Sequence, residues 1–172
     1  MRVRIVAVLA ILAVIALSVA RIVAAPANAA GEYYQHLDTL GQLTVAVAEA
    51  MPQGEYAFKP DPPSMSFGEQ FVHVASTNFD FCAGLKDSDP PPKPSPTDKA
   101  GIVKFLSDSF AYCSEVVPTL TEAKLNEYHN SPDGRMPGRQ ILLAFYMHVA
   151  HHRGQTEIYL RDKGIAPPQY RF

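Results

Sequence analysis

The 172-residue sequence predicts an all-α protein, a bundle of four helices. Three observations carry this reading. Apolar residues recur at spacings of three and four in four separate stretches, no stretch alternates as a strand would, and capping residues, prolines or glycines bound the stretches. Helices that each carry one apolar face, joined by loops, bury those faces most simply against one another.

Ahead of the first helix, "MRVR" leads into the apolar run "IVAVLAILAVIALSVA" and then "RIVAAPANAA". A basic start, an apolar centre and an Ala-x-Ala exit are the marks of a secretory leader, expected over residues 1–29 with cleavage after Ala29. The alternative is a retained amino-terminal anchor, because the apolar stretch approaches the ~20 residues that span a bilayer. On either reading the domain, residues 30–172, lies outside the cytoplasm, periplasmic or secreted, and after cleavage it has no membrane segment. Loss of Arg2, Arg4 and Arg21 lowers the formal net charge from -2 to -5, which gives no basic surface for nucleic acid.

Helix one runs from Glu32 to Met51, with Leu37, Leu40, Thr44, Val45, Ala48 and Met51 on one face and Pro52 as its stop. The proline-rich "PQGEYAFKPDPPSM" is a loop over one end of the domain. Ser66 caps helix two, roughly Phe67 to Cys82, and Glu69 completes a capping box. "GLKDSDPPPKPSPTD" has no apolar period and forms an extended connection; as polyproline it spans ~43 Å over about 14 residues, against roughly 25 Å for helix three. It is therefore long enough to cross the bundle.

Helix three starts near Thr97 or Asp98 and stops at Pro118. "TLTEAKLNEY" is a short helical turn with its own expected box, Thr119 and Glu122, and "HNSPDGRMPG" is loop. The last helix runs from about Pro137 to Lys163, with Gly164 behind it.

That last helix contains "HVAHHRGQ", three of the chain's six histidines within five residues. His148 and His152 are four apart and so share a helical face, where neutral imidazoles can meet one zinc, nickel, copper or iron ion. His148 shares that face with Ile141, Ala144 and Phe145, which points it inward. The competing reading is a pair of core histidines satisfied by hydrogen bonds. His151 falls at the edge of the face, outside the ligand pair or on the surface. Arg153 suits a solvated or carboxylate-paired role and Gln155 a hydrogen bond within the bundle. His73 sits inside helix two, among Glu69, Gln70, Ser76, Thr77 and Asp80 and off the apolar face of Phe71, Val74, Ala75 and Cys82. Its periodicity allows either an exposed histidine or the third member of a site in a groove between helices. His36 and His129 are expected at the surface.

Taken in order, "EAMPQGEYAFKPDPPSMSFGEQFVHVA", "HVAHHRGQ" and "IYLRDKGIAPP" resemble the DinB-like superfamily, also called DinB/YfiT-like metalloenzymes, from about Tyr33 to Pro168. The resemblance implies an up-down-down-up four-helix bundle, with the Pro-rich crossover between helices two and three. It also implies a divalent metal held by His73, His148 and His152, zinc ahead of nickel or another transition metal. Three nitrogen ligands leave a position open, as catalytic rather than closed structural sites do. The implied parallel pairing of helices two and three sets Cys82 and Cys113 at one level, so a disulfide is expected between them.

Family members include thiol S-transferases and hydrolases. The expected function is therefore a divalent-metal-dependent hydrolase or transferase acting on a small molecule, with no further catalytic residue assignable. The cytosolic thiols those transferases use do not fit an exported chain. The alternative is a non-catalytic bundle that binds metal or ligand in stress or detoxification. A homodimer is compatible with either.

Overall fold

The computed structural model describes residues 29–172, so the leader expected over residues 1–29 lies, apart from Ala29, outside the described residues. Four long helices form the core: α1 (Ala29–Ala50), α2 (Phe67–Leu85), α3 (Lys99–Val116) and α5 (Gly138–Asp162). Between α3 and α5 stand the short helix α4 (Glu122–Asn126) and a two-stranded antiparallel ladder, β1 (Tyr128–His129) with β2 (Met136–Pro137). The fold is thus all-α in its core. The ladder was not expected from the sequence, because two-residue strands are too short to show an alternating period.

The helix boundaries follow from local chemistry. Ser66 accepts from the Glu69 amide while Glu69 takes the Ser66 amide, the expected capping box at the head of α2. Asp98 caps α3 by accepting from the Gly101 amide at 3.0 Å. Gly164, at φ +71°, ends α5; its amide donates to Arg161 and that of Ile165 to Leu160, closing the last turn. At the far end of α1, the Lys99 ammonium donates to the Glu49 and Met51 carbonyls at 2.6 and 2.9 Å, satisfying groups that the helix terminus leaves unpaired. The box expected between Thr119 and Glu122 does not form. The Thr119 hydroxyl is spent on the Val116 carbonyl, and Thr121 caps α4 instead.

Each pair of neighbouring helices can be followed along its contacts. From α2 to α3, Gly68 faces Ile102, the Asn78 side chain donates to the Ser109 hydroxyl at 3.0 Å, and Cys82 is bonded to Cys113. Numbers rise together along this seam. From α2 to α5 they run oppositely: Phe81 packs on Phe145, His73 on His148, and Gln70 meets Tyr159. Phe67, Phe71, Phe81 and Phe145 fill the centre. Near the end of α2 a side chain at Gly84 would begin 2.0 Å from the Asn130 carbonyl oxygen, so this glycine is what lets the loop before α5 lie against the helix. Among the described residues no helix is long and apolar enough to cross a membrane.

The expected Cys82–Cys113 disulfide is present and both cysteines are fully buried. It closes a loop across a sequence separation of 31 residues, for which chain entropy gives a stabilisation of about 3–4 kcal/mol. Cys82→Ser/Cys113→Ser should therefore melt roughly 10 °C lower by calorimetry. A drop of under about 2 °C would mean that the bridge adds little to the packing around it.

Candidate metal centre

α5 is buried along Ile141, Phe145 and Val149, and His148 and His152 flank that line on the side facing α2. α2 answers with Gln70, His73 and Thr77, at intervals of three and four, so that one polar strip runs through the contact between the two helices. The three imidazoles meet there. Ring centroids are 4.9 Å apart for His73 and His148, 4.7 Å for His73 and His152, and 4.5 Å for His148 and His152. One ring nitrogen from each lies within 4.8 Å of the others, and the Nε2 atoms of His73 and His148 are 3.0 Å apart. Nitrogens sharing one tetrahedral zinc stand roughly 3.3 Å apart.

Hydrogen bonds orient the cluster. Tyr159 donates its hydroxyl to the Met65 carbonyl at 3.1 Å and accepts from the Gln70 side-chain amide at 3.3 Å. That leaves the Gln70 carbonyl oxygen to accept from His152 Nδ1 at 2.5 Å. His152 is thereby held with its proton on Nδ1 and its Nε2 lone pair free, the state in which an imidazole binds a metal. Neither Gln70 nor Tyr159 was singled out from the sequence. The signal available was Gln70 three residues before His73, on the same face.

Burial keeps the cluster neutral. It pushes His73 down, and it pushes His148 and His152 down to about 4, with neighbouring imidazoles adding to the effect. His148 Nδ1 is buried without a hydrogen-bond partner among the described residues, and two neutral imidazole nitrogens face each other at 3.0 Å where at most one proton fits. An all-nitrogen, uncharged and inward donor set is of the kind that divalent transition metals take, and the three histidines are a group that could hold such an ion.

The nearby carboxylates are committed elsewhere. Glu69 caps α2 and pairs with Lys59 at 3.1 Å, which holds it below the usual carboxylate range; Asp80 is gripped by Lys93 at 2.7 and 2.8 Å. A cavity of about 460 Å³ adjoins the cluster, lined by His73 and Val72 of α2, Tyr56, Ile102 of α3, and Pro96 and Thr97 of the Pro-rich connection.

The remaining histidines take other roles. His151 is exposed and bonded to Gln155 at 3.0 Å, outside the cluster; Gln155 thus serves its own helix rather than the bundle. His36 stacks on Phe172 at 4.2 Å. His129, expected at the surface, is buried, with Asp87 on Nδ1 at 2.7 Å and the Lys124 carbonyl on Nε2 at 2.8 Å. Asp87, Glu127 and His129 form a second grouping of metal-ligand types, but the Lys124 ammonium lies between the two carboxylates at 2.8 and 3.0 Å and pairs with both. This grouping fastens the loop before α5 to the end of α2. Arg153, expected to be solvated or paired with a carboxylate, is buried with Glu157 at 3.5 Å.

Comparison with known proteins gives a consistent family. A model described as the DinB superfamily matches residues 36–156. YjoA of Bacillus subtilis (strain 168), an uncharacterized protein, is 26% identical over 130 residues, covering 71% of this chain and 82% of YjoA. The crystal structure of that DinB-like protein superposes with a TM-score of 0.67 at 23% identity, over 81% of this chain and 96% of the other. A DinB-like protein from Bacillus cereus ATCC 10987 gives 0.70 at 17%, over 81% and 95%. YfiT from Bacillus subtilis, a probable metal-dependent hydrolase with an unusual four-helix bundle topology, gives 0.62 at 16%, over 83% and 94%.

The neutral imidazoles set a pH dependence. Free histidine titrates near 6.5, so between about pH 6.5 and 4 the unfolded chain takes up protons that folded His148 and His152 refuse. Stability of the metal-free protein is therefore greatest above this window and falls as pH falls through it. Denaturant melts at pH 7 and pH 4.5 should show a smaller loss for His148→Gln than for the unsubstituted protein, and equal losses would contradict the assignment.

Proposed function

The chain belongs to the DinB superfamily, and we propose that this member is a divalent-metal-dependent hydrolase or transferase acting on a small molecule. One observation carries the reading. The three imidazoles form a group with no fourth ligand among the described residues, and His73 also lines a cavity. A site closed for structure would complete its own coordination, whereas here the described residues add no fourth ligand and a cavity reaches one of the three imidazoles. His73, His148 and His152 would hold the ion, zinc in preference to nickel because three neutral nitrogen donors are a ligand set that catalytic zinc takes. The metal, when bound, supplies Lewis acidity toward a substrate oxygen and toward water or a thiol.

The chain's own residues do the rest. Gln70 keeps the His152 lone pair directed at the site. Val72, Tyr56 and Ile102 give the cavity apolar walls, and Pro96 with Thr97 brings the connection of residues 86–98 over its edge. In this reading the bundle runs up-down-down-up with that connection as the crossover, which the matched numbering along α2 and α3 and the opposed numbering along α2 and α5 support. YfiT's description as a probable metal-dependent hydrolase points the same way for the reaction class. Export, with residues 1–29 as leader, is supported by the buried disulfide, since such bonds persist outside the cytoplasm.

Commitment of Glu69 and Asp80 to lysines favours a second reading, a bundle that sequesters metal or ligand without turnover. Metal analysis and an activity screen separate the two. Protein purified without chelator should carry about one transition-metal equivalent. His73→Ala, His148→Ala and His152→Ala should lose it, Gln70→Ala should bind it roughly 10–100-fold more weakly, and His151→Ala should retain it. Ester, amide and thiol-transfer substrates should show turnover that chelation abolishes and zinc restores. Stoichiometric metal with no turnover across the screen would favour sequestration, and no metal in the unsubstituted protein would remove the metal-dependent enzyme and metal sequestration alike.

A further inference from the structure

A second cavity lies on the other side of α5. Tyr146, Ala150 and Arg153 project about opposite to His148 and His152 on a helix of 3.6 residues per turn, and they face α1 and the chain's last residues. Leu40, Tyr146, Met147 and Ala150 supply apolar walls, and Tyr170 and Phe172 close the third side, giving a volume of about 240 Å³.

Arg153 lines this groove while being nine-tenths buried. Its Nε is shielded from solvent and makes no hydrogen bond among the described residues. The nearest carboxylate oxygen, on Glu157, stands 3.5 Å away, and that carboxylate is also 4.0 Å from Arg161. The Tyr170 ring lies 5.7 Å from the guanidinium carbon, within reach of a cation–π contact. A buried guanidinium offers five donors and is costly to leave unsatisfied. Arg171 adds a second positive charge to the lining, and no Asp or Glu side chain lines the groove.

We propose that this groove binds a small arylalkanoate, its carboxylate on Arg153 and its ring against Leu40, Tyr146 and Met147. The charge fits: a carboxylate matches the guanidinium fork in pairs of hydrogen bonds. The size fits as well. A cavity of ~150 Å³ holds benzene, so the groove takes one ring with a short acid chain. The site is separate from the metal centre and does not depend on what that centre does.

Calorimetric titration of the purified protein with 3-phenylpropanoate tests this, with 3-phenylpropan-1-ol and 3-phenylpropylammonium as uncharged and cationic comparisons. The acid should bind saturably at one site, at least tenfold tighter than the alcohol, and the ammonium should not bind. Arg153→Gln should weaken the acid at least tenfold and leave the alcohol within twofold. Ala150→Phe, which fills the groove and keeps the guanidinium, should abolish binding of both, and it decides the matter if Arg153→Gln does not fold. His148→Ala should leave the acid within twofold. Absence of saturable binding, equal affinity for acid and alcohol, or loss of binding in His148→Ala would overturn the proposal, the last by moving the ligand to the metal centre.

Discussion

α2 is covered from two sides at once, by α3 along one seam and by α5 along another. A surface helix buries one stripe; this one also buries Gln70, Thr77 and Asn78, polar residues that must then find partners inside the bundle. Asn78 finds Ser109 across the α3 seam, and Gln70 finds Tyr159 and His152 across the α5 seam. The disulfide fixes the level of the first seam near its far end. With α2 held in that register against α3, its polar strip is presented to α5 at the height where His148 and His152 stand.

Double burial also explains which parts of the site could be read in the sequence. Periodicity placed His148 inward because its neighbours Ile141 and Phe145 are apolar and fully buried. The same test set His73 among polar residues and left it open, since a helical projection marks the apolar stripe and cannot show that a second helix covers the polar one. Only the ordered set of segments shared with a family brought His73 to the pair. His129 escaped for a related reason: its partners, Asp87 and the Lys124 carbonyl, come from two other segments, so nothing near it in sequence forecasts burial. Local signals did better. The Ser66–Glu69 box and the Gly164 stop involve residues within a turn of one another and act where the pattern put them, and of the two starts open for helix three, Thr97 and Asp98, it is Asp98 that caps. Thr119 is the exception, because the Val116 carbonyl competes for its hydroxyl.

Two histidine groupings in one chain show how environment separates structure from chemistry. His129 has both ring nitrogens against oxygen partners and a lysine ammonium beside its carboxylate partner, so neither nitrogen is turned toward an open position. The cluster of His73, His148 and His152 has the reverse balance. It has fewer hydrogen bonds than nitrogens and, among the described residues, no carboxylate bonded to it, and burial holds it uncharged. Proximity of ligand-type residues is common to both; unspent lone pairs are found in one.

The same criterion applies along α5 as a whole. Among the described residues, three buried side-chain atoms lack a hydrogen-bond partner, and two of them, His148 Nδ1 and Arg153 Nε, are five residues apart on this helix. Packing alone would select against them, since each unmet buried polar group costs about 1–3 kcal/mol. They lie on opposite sides of α5, each beside residues that line a cavity, His73 on one side and Tyr146 and Ala150 on the other. A helix that served only the core would have put apolar side chains at both positions. α5 instead carries a neutral nitrogen cluster toward α2 and a guanidinium toward α1, and the two faces differ in the sign of ligand they favour: a cation on the first, an anion on the second.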